Sequence, residues 1–420
     1  MSRIAVVGSG IAGMAAAYFL SRKNEVHLLE RENRLGGHTH THQVETSGGV
    51  LPIDTGFIVH NDRTYPNLVK LFCQLGIERQ KAEMSFGVSC RKTSFEYSSR
   101  GLRGFFAQKR NYLRPAHFRL LKEILRFNRE ARFILDDPAG ATMTLVEYIR
   151  ANAFSAEFAR FYLYPMAAAV WSTSLEEIES FPALTLVRFL DNHGLLGINT
   201  HPQWYVIKGG SSRYIAPLTR PYATRIRTGA NIEGVTRSSA GVNIRFDDGT
   251  LESFDEIVFA CHAPQALALL ADASPEERSV LGSLTTSRNH TLLHTDSRLL
   301  PQRPGARASW NYHLGTDIRA VTVTYDMTRL QSLPVPERYC VTLNANDRVA
   351  GRSVLREMTY EHPLMTLPAI RAQGRWQEIS GKSHTHFCGA YWFYGFHEDG
   401  LNSAIRVAQS LNSPWKPEAC

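Results

Sequence analysis

Apolar residues fall into short buried runs separated by glycine-rich turns, with helical spacing only in places. Ile4-Ala-Val-Val7 reads as a buried strand that stops at Gly8. The segment from Met14 to Leu20 is alanine-rich and has strong helix propensity. Val26 to Leu29 is a second apolar strand, ending at Glu30. The same pattern returns far downstream. Tyr205-Val-Ile207 leads into Gly209-Gly210 and a helix, and Val242-Asn-Ile-Arg-Phe246 alternates beside the hairpin signal Asp247-Asp-Gly249. Ile257-Val-Phe-Ala260 is another buried strand, running into Cys261 and His262. An aromatic-rich stretch from Phe387 to Phe396 precedes a helix predicted over Leu401 to Leu411. From Pro115 onward Leu120, Leu121, Ile124 and Leu125 have helical spacing with basic residues between them. Strands alternating with helices predict an α/β fold, α+β overall.

A chain of 420 residues is too long for one ordinary core and suits two intimately joined domains. Hydrophobic residues at 43% and charged residues at 20% are those of a globular chain, not a disordered one. No stretch approaches about 18 consecutive apolar residues, so no membrane-spanning helix is expected. Because Ile4 already belongs to the first strand, no signal peptide is expected either. Six scattered cysteines, without a CxxC pair, argue against a disulfide framework or structural zinc and fit a cytoplasmic location. The net charge of +8 is compatible with a location peripheral to the inner face of a membrane, and no nucleic-acid partner is expected.

The first chemistry-bearing motif is Gly8-x-Gly10-x-x-Gly13, set between a strand and a helix, with Glu30 at the end of the next strand. Gly8 permits a tight turn, Gly10 admits a diphosphate to the backbone, and Gly13 lets helix and strand close up. Free N–H groups at the helix start bind phosphate, and an acid at the position of Glu30 accepts hydrogen bonds from ribose hydroxyls. This is a dinucleotide site.

Directly after the acid come Arg34-Leu-Gly36-Gly37-His38-Thr39, and then Ile53-Asp54-Thr55-Gly56-Phe57-Ile58. The glycine pair resembles the RxGGR pattern of the flavin amine oxidase superfamily, which includes phytoene desaturases and protoporphyrinogen oxidases. His38 stands where that pattern has a second arginine. The stretch Gly389 to Gly400 is similar to the superfamily's terminal motif, in which a helix N-terminus meets the flavin and stabilises negative charge on the reduced ring. The resemblance implies FAD and a Rossmann-type domain of the glutathione-reductase type, with an inserted mixed-sheet and helical substrate domain. The FAD-binding domain is expected to comprise 1–64, 205–264 and 386–420, and the substrate domain 65–204 and 265–385. Implied FAD contacts come from Ile11, Ala12, Arg31, Thr55, Gly56, Phe57, Ile58, Val235 and Cys261, and, at the C-terminus, from Gly389, Phe396, His397, Glu398, Asp399 and Gly400. His38, His40 and His42 alternate as three imidazoles on one face of a strand would, but no acidic partner accompanies them and no metal is expected.

Beyond these motifs, Thr64-Tyr-Pro-Asn67 and Val323 to Leu330 resemble a bacterial subgroup associated with cyclopropane-fatty-acid synthases, some members of which are implicated in acyl desaturation. That implies a fatty-acyl lipid substrate, with a lipid methyltransferase as a candidate partner. True amine oxidases carry a tyrosine where this chain has Phe396, and a lysine near Arg288-Asn289-His290, where it has none; both departures weaken an amine substrate. Candidate proton acceptors are His397, His290 and His60, since histidine exchanges protons near neutral pH. Tyr391, Trp392, Tyr394 and Phe396 either line a substrate tunnel or pack the core. Residues 100–132 hold ten Lys and Arg against Glu123 and Glu130, interleaved with Leu and Phe. That stretch reads as a domain helix with solvated arginines, an anionic-membrane contact, or a site for an acidic protein. The leading functional reading is a flavin-dependent acyl-lipid desaturase or dehydrogenase. The alternatives are an amine oxidase releasing hydrogen peroxide and a flavin-loaded accessory protein of a lipid methyltransferase.

Overall fold

Five parallel strands form the sheet beneath the first glycine motif, in the order Ile226–Arg227, Glu25–Leu29, Arg3–Val7, Glu256–Phe259, Thr385–Phe387. A parallel sheet covered on both faces selects near-continuous apolar strands, and Ile4, Val6, Val26, Leu28, Ile257 and Val258 are accordingly buried. Three stretches of chain far apart in sequence thus contribute to one sheet. The computed structural model describes all residues except 47, 91, 138, 139, 141, 172–174, 198–200, 315–321, 346, 347 and 418–420. Pro138, Ala139 and Cys420 lie outside the described residues.

The helix Ile11–Leu20 crosses between the first two strands and is apolar nearly all round, so only Tyr18 escapes full burial. Its outer side is covered by the C-terminal helix His397–Ser410. A Cβ at Gly400 would stand 2.8 Å from Ile11 Cγ2, so the small residue sets how closely the two helices approach. Strands Ile232–Ser238, Gly241–Phe246 and Leu251–Phe254 form an antiparallel meander beside the sheet.

A second, seven-stranded sheet runs in the order Val354–Pro363, Thr286–His294, Cys340–Leu343, Thr322–Asp326, Trp310–Leu314, Phe86–Cys90, Phe95–Ser98. It is mixed: Trp310–Leu314 and Phe86–Cys90 run parallel and the remaining neighbours antiparallel. Helices from the insertion, among them Pro115–Glu130, Tyr164–Trp171 and Ala183–Asn192, accompany it. The strand Trp204–Ile207 joins Val59–Asn61 and Arg79–Ala82 in a small antiparallel sheet of its own. One expectation is corrected. Cys73 is disulfide-bonded, whereas Cys90, Cys261, Cys340 and Cys388 are free. No helix among the described residues is long and apolar enough to cross a membrane.

Candidate functional site

At the C-terminal edge of the parallel sheet the two glycine motifs face each other. Gly13 packs against the turn before it, for a Cβ there would lie 1.9 Å from the Gly8 carbonyl oxygen. Gly36 N–H donates to the Ser9 carbonyl at 3.0 Å, and Gly37 lies at φ +57°, where a Cβ would stand 3.1 Å from Gly10 Cα. A side chain at Gly37 would meet both an unfavourable backbone angle and that contact. Glu30 accepts from Ser9 N and Oγ at 2.8 and 2.6 Å and from Glu32 N at 2.9 Å. Arg34 donates to the Gly37 carbonyl, while Arg31 is largely exposed beside Glu32. Cys261 follows Ala260 against Gly8, and burial pushes its thiol up to about 12. Val235 is buried in the meander, and its carbonyl accepts from Ala271 N.

Residues 38–40 then pair with 55–57. Phe57 N donates to the His38 carbonyl at 2.7 Å and Thr55 N to the His40 carbonyl at 3.0 Å, which fixes Gly56 against His38. The Ile58 side chain is buried. Two hydroxyl–imidazole clusters grow from this ladder. In one, Thr39 Oγ1 and the Tyr214 hydroxyl bond each other and lie 2.9 and 3.2 Å from His397 Nε2. The His397 ring is stacked on Phe57, with centroids 3.6 Å apart. In the other, the Tyr360 hydroxyl lies 2.7 Å from Thr55 Oγ1 and 3.0 Å from His40 Nδ1. The His38 ring stands among Tyr360, His362 and His262. Asn289 Nδ2 is 3.0 Å from His362 Nδ1. Burial drives His38 well below the ordinary imidazole range and pushes His40 and His397 down to about 3 and His362 to about 4. The site is therefore lined with neutral imidazoles. Asp54, fully buried, ties the ladder to Thr41, Ser211 and Gln331, and burial raises its carboxyl to about 6.

The terminal motif differs from expectation in its helix start. The helix begins at His397, not Leu401, because Asp399 accepts from Phe396 N at 2.9 Å and closes the first turn. Burial lifts the Asp399 carboxyl to about 7. Glu398 reaches across to Asn67 N and Leu68 N at 3.0 and 2.8 Å, capping the helix Pro66–Gln74, so its oxygens serve that helix. Gly389 N donates to Ser403 Oγ at 2.8 Å, fixing the approach to the helix.

Of the three candidate proton acceptors, two are brought together. His60 is fully buried, its ring 6.3 Å from Phe57, and neither ring nitrogen has a hydrogen-bond partner. His290 is not with them. Strand alternation turns Asn289 inward and His290 to the opposite face, where Nε2 meets Glu357 at 2.6 Å. His38, His40 and His42 do not share one face: the strand starts only at Thr41, His40 and His42 stand 4.0 Å apart, and His38 turns to His262 and His362. Tyr391 and Trp392 turn into the core, with the Tyr391 hydroxyl on the Cys388 carbonyl. Phe396 instead faces the helical insertion, stacked on Phe189 at 5.1 Å and near Trp171 and His193. Trp171 Nε1 donates to the Tyr394 carbonyl at 3.1 Å. Sequence reasoning missed Tyr214, Tyr360, His362, Trp171 and Phe189, which carry no motif of their own.

Whether these residues suit FAD is tested by space and by free donors. A Cβ at Gly10 would meet nothing within 4 Å, the first helix starts there without a side-chain cap, and His38 Nε2 is buried without a partner. The residues fit a diphosphate and a polar ring system. The family model for flavin-containing amine oxidoreductases matches residues 11–412. The chain belongs to the flavin-containing amine oxidoreductase family. It is an FAD-dependent oxidoreductase of that superfamily. It is similar, at 42% identity over 55 residues, to the flavin-dependent L-tryptophan oxidase of Lentzea aerocolonigenes, a match that covers 13% of this chain and 12% of that protein. Two solved structures share its fold over nearly their whole length. The CLA-producing fatty acid isomerase of P. acnes has a TM-score of 0.68 at 15% identity, covering 97% and 98% of the two chains. The cyclohexylamine oxidase of Brevibacterium oxydans IH-35A has 0.70 at 15%, covering 98% and 99%.

Proposed function

We propose that this oxidoreductase dehydrogenates the acyl chain of a lipid. FAD, when bound, supplies the two-electron acceptor for a hydride leaving a substrate carbon. The protein must bind an apolar chain, orient one C–H bond and take up the one proton that the neighbouring carbon loses when a CH2–CH2 unit becomes CH=CH. The observation that carries the reading is the aromatic wall of Phe396, Phe189 and Trp171 where the terminal motif meets the helical insertion. Apolar and aromatic side chains with few polar groups suit a hydrocarbon ligand. That Phe396 lacks a hydroxyl, and that Asn289 stands in the strand where an amine oxidase has lysine, add support. The P. acnes neighbour's name, a fatty acid isomerase, agrees with the substrate class, though the likeness itself speaks only for the fold.

The imidazoles act here as neutral groups. His397 has its Nε2 tied to Thr39 and Tyr214, so it holds the start of the terminal helix against Phe57. Removal of that proton falls to a group outside this tie.

The test is anaerobic. Purified FAD-loaded protein is mixed with extracted phospholipid or with a panel of primary amines, and the flavin absorbance is followed. Bleaching by lipid, with a product lighter by two hydrogens in mass spectrometry, is the expected result. A flavin that stays oxidised with lipid but bleaches with an amine, releasing hydrogen peroxide in air, overturns the proposal in favour of amine oxidation. A flavin that neither class reduces overturns it in favour of an accessory role beside a lipid methyltransferase.

A further inference from the structure

The helix Pro115–Glu130 divides its apolar residues between two sides. Leu120 and Phe127 are buried, but Phe118 and Leu125, seven residues apart and so on one face, are 48% and 44% exposed. Six of the nine large hydrophobic side chains exposed among the described residues lie between 102 and 133: Leu102, Tyr112, Leu113, Phe118, Leu125 and Phe133. Leu113 is 87% exposed and Phe133 74%. Part of this surface is continuous, because Phe106 stacks on Tyr112 at 4.5 Å and lies 5.3 Å from Phe118.

Cations stand between these residues. Arg103, Lys109, Arg114, Arg119 and Lys122 are exposed and make no ion pair among the described residues, whereas Arg126, Arg129 and Arg132 are paired with Glu130 or Asp191. Lys122 falls between Phe118 and Leu125 on the outer face of the helix, and Arg114 follows Leu113.

We propose that the surface formed by residues 102–133 docks on an anionic lipid membrane. Single apolar side chains that project beside unpaired Lys and Arg match the bilayer interface, where the former enter the acyl boundary and the latter meet lipid phosphates. A protein interface calls for something else: its centre is depleted of lysine, and its anchors fill pockets. The proposal concerns where the protein sits and stands independently of the substrate assigned above.

The experiment is co-sedimentation of the full-length, FAD-loaded protein with vesicles of phosphatidylcholine alone, or of phosphatidylcholine with about one-third phosphatidylglycerol. Binding to the anionic vesicles, weakened by added salt, is expected. Arg119→Glu/Lys122→Glu should weaken it by at least about tenfold, since each surface cation contributes about a factor of five. Leu113→Ser/Phe118→Ser should weaken it without changing its salt dependence, while Val50→Ser, exposed elsewhere, should change nothing. An unaltered flavin spectrum and melting curve check that each variant is folded. Equal binding to both vesicle types, no binding to either, or full binding by both double variants overturns the proposal. Capture of an acidic protein by a chain that ignores anionic vesicles overturns it too.

Discussion

Replacing His60 with phenylalanine isolates the effect of one neutral, buried imidazole on this fold. The ring has no exposed surface, lies among Phe57, Phe72, Tyr65 and Tyr205, and leaves both nitrogens without a hydrogen-bond partner. Burial lowers it from 6.5 to about 3. The unfolded chain therefore binds a proton below pH 6.5 that the folded chain refuses, so stability is complete above that pH and is lost as the pH falls towards 3. At pH 5, about 1.5 pH units below the unfolded value, the loss is about 2 kcal/mol. Phenylalanine keeps a flat ring in aromatic surroundings and cannot titrate. Near pH 8 the relief of two unpaired buried nitrogens and the strain of a larger ring roughly offset each other, leaving the variant within about 1 kcal/mol of the parent. Urea unfolding of both proteins at pH 8 and pH 5 reads the difference, and the other histidines cancel because both proteins carry them. The variant should gain about 2 kcal/mol relative to the parent between the two pH values. Parallel pH profiles would refute the reasoning.

Three further outcomes can be checked. Gly10→Val should purify colourless and melt like the FAD-free parent, because its side chain enters open space before the helix, whereas Gly13→Ala drives a Cβ towards the Gly8 carbonyl and should lower stability by about 3 kcal/mol or more in thermal melts. Arg237→Met strands buried Glu277 without the partner that binds it at 2.5 and 2.8 Å; chemical denaturation should register a loss of about 3–5 kcal/mol, most of it recovered in Arg237→Met/Glu277→Leu. His290→Ala should leave the flavin spectrum and turnover unchanged, since its ring meets Glu357 on the outward face of the sheet; a large fall in kcat would contradict that placement.

The glycine motifs were legible because they encode backbone geometry locally: a carbonyl 1.9 Å from a notional Cβ at Gly13 admits only glycine, whatever lies elsewhere. The strands at residues 4, 26 and 257 were legible because burial on both faces demands unbroken apolar runs. What surrounds His38 was not. Tyr360, His362 and His262 reach it from more than two hundred residues away, and no spacing rule links them. The start of the last helix was misplaced because Gly400 looks like a turn residue, yet its work is to let Ile11 approach. The sequence leaves Tyr391 and Trp392 open between tunnel lining and core packing, and the fold buries them in the core.

The edge strand of the parallel sheet, Thr385–Phe387, and the helix that covers Ile11–Leu20 are made long after the strands that open the sheet. The opening strands therefore emerge hundreds of residues before their outer neighbour and their cover exist. During synthesis that apolar face must wait, shielded by transient contacts or a chaperone, and cofactor capture must follow the emergence of these late elements.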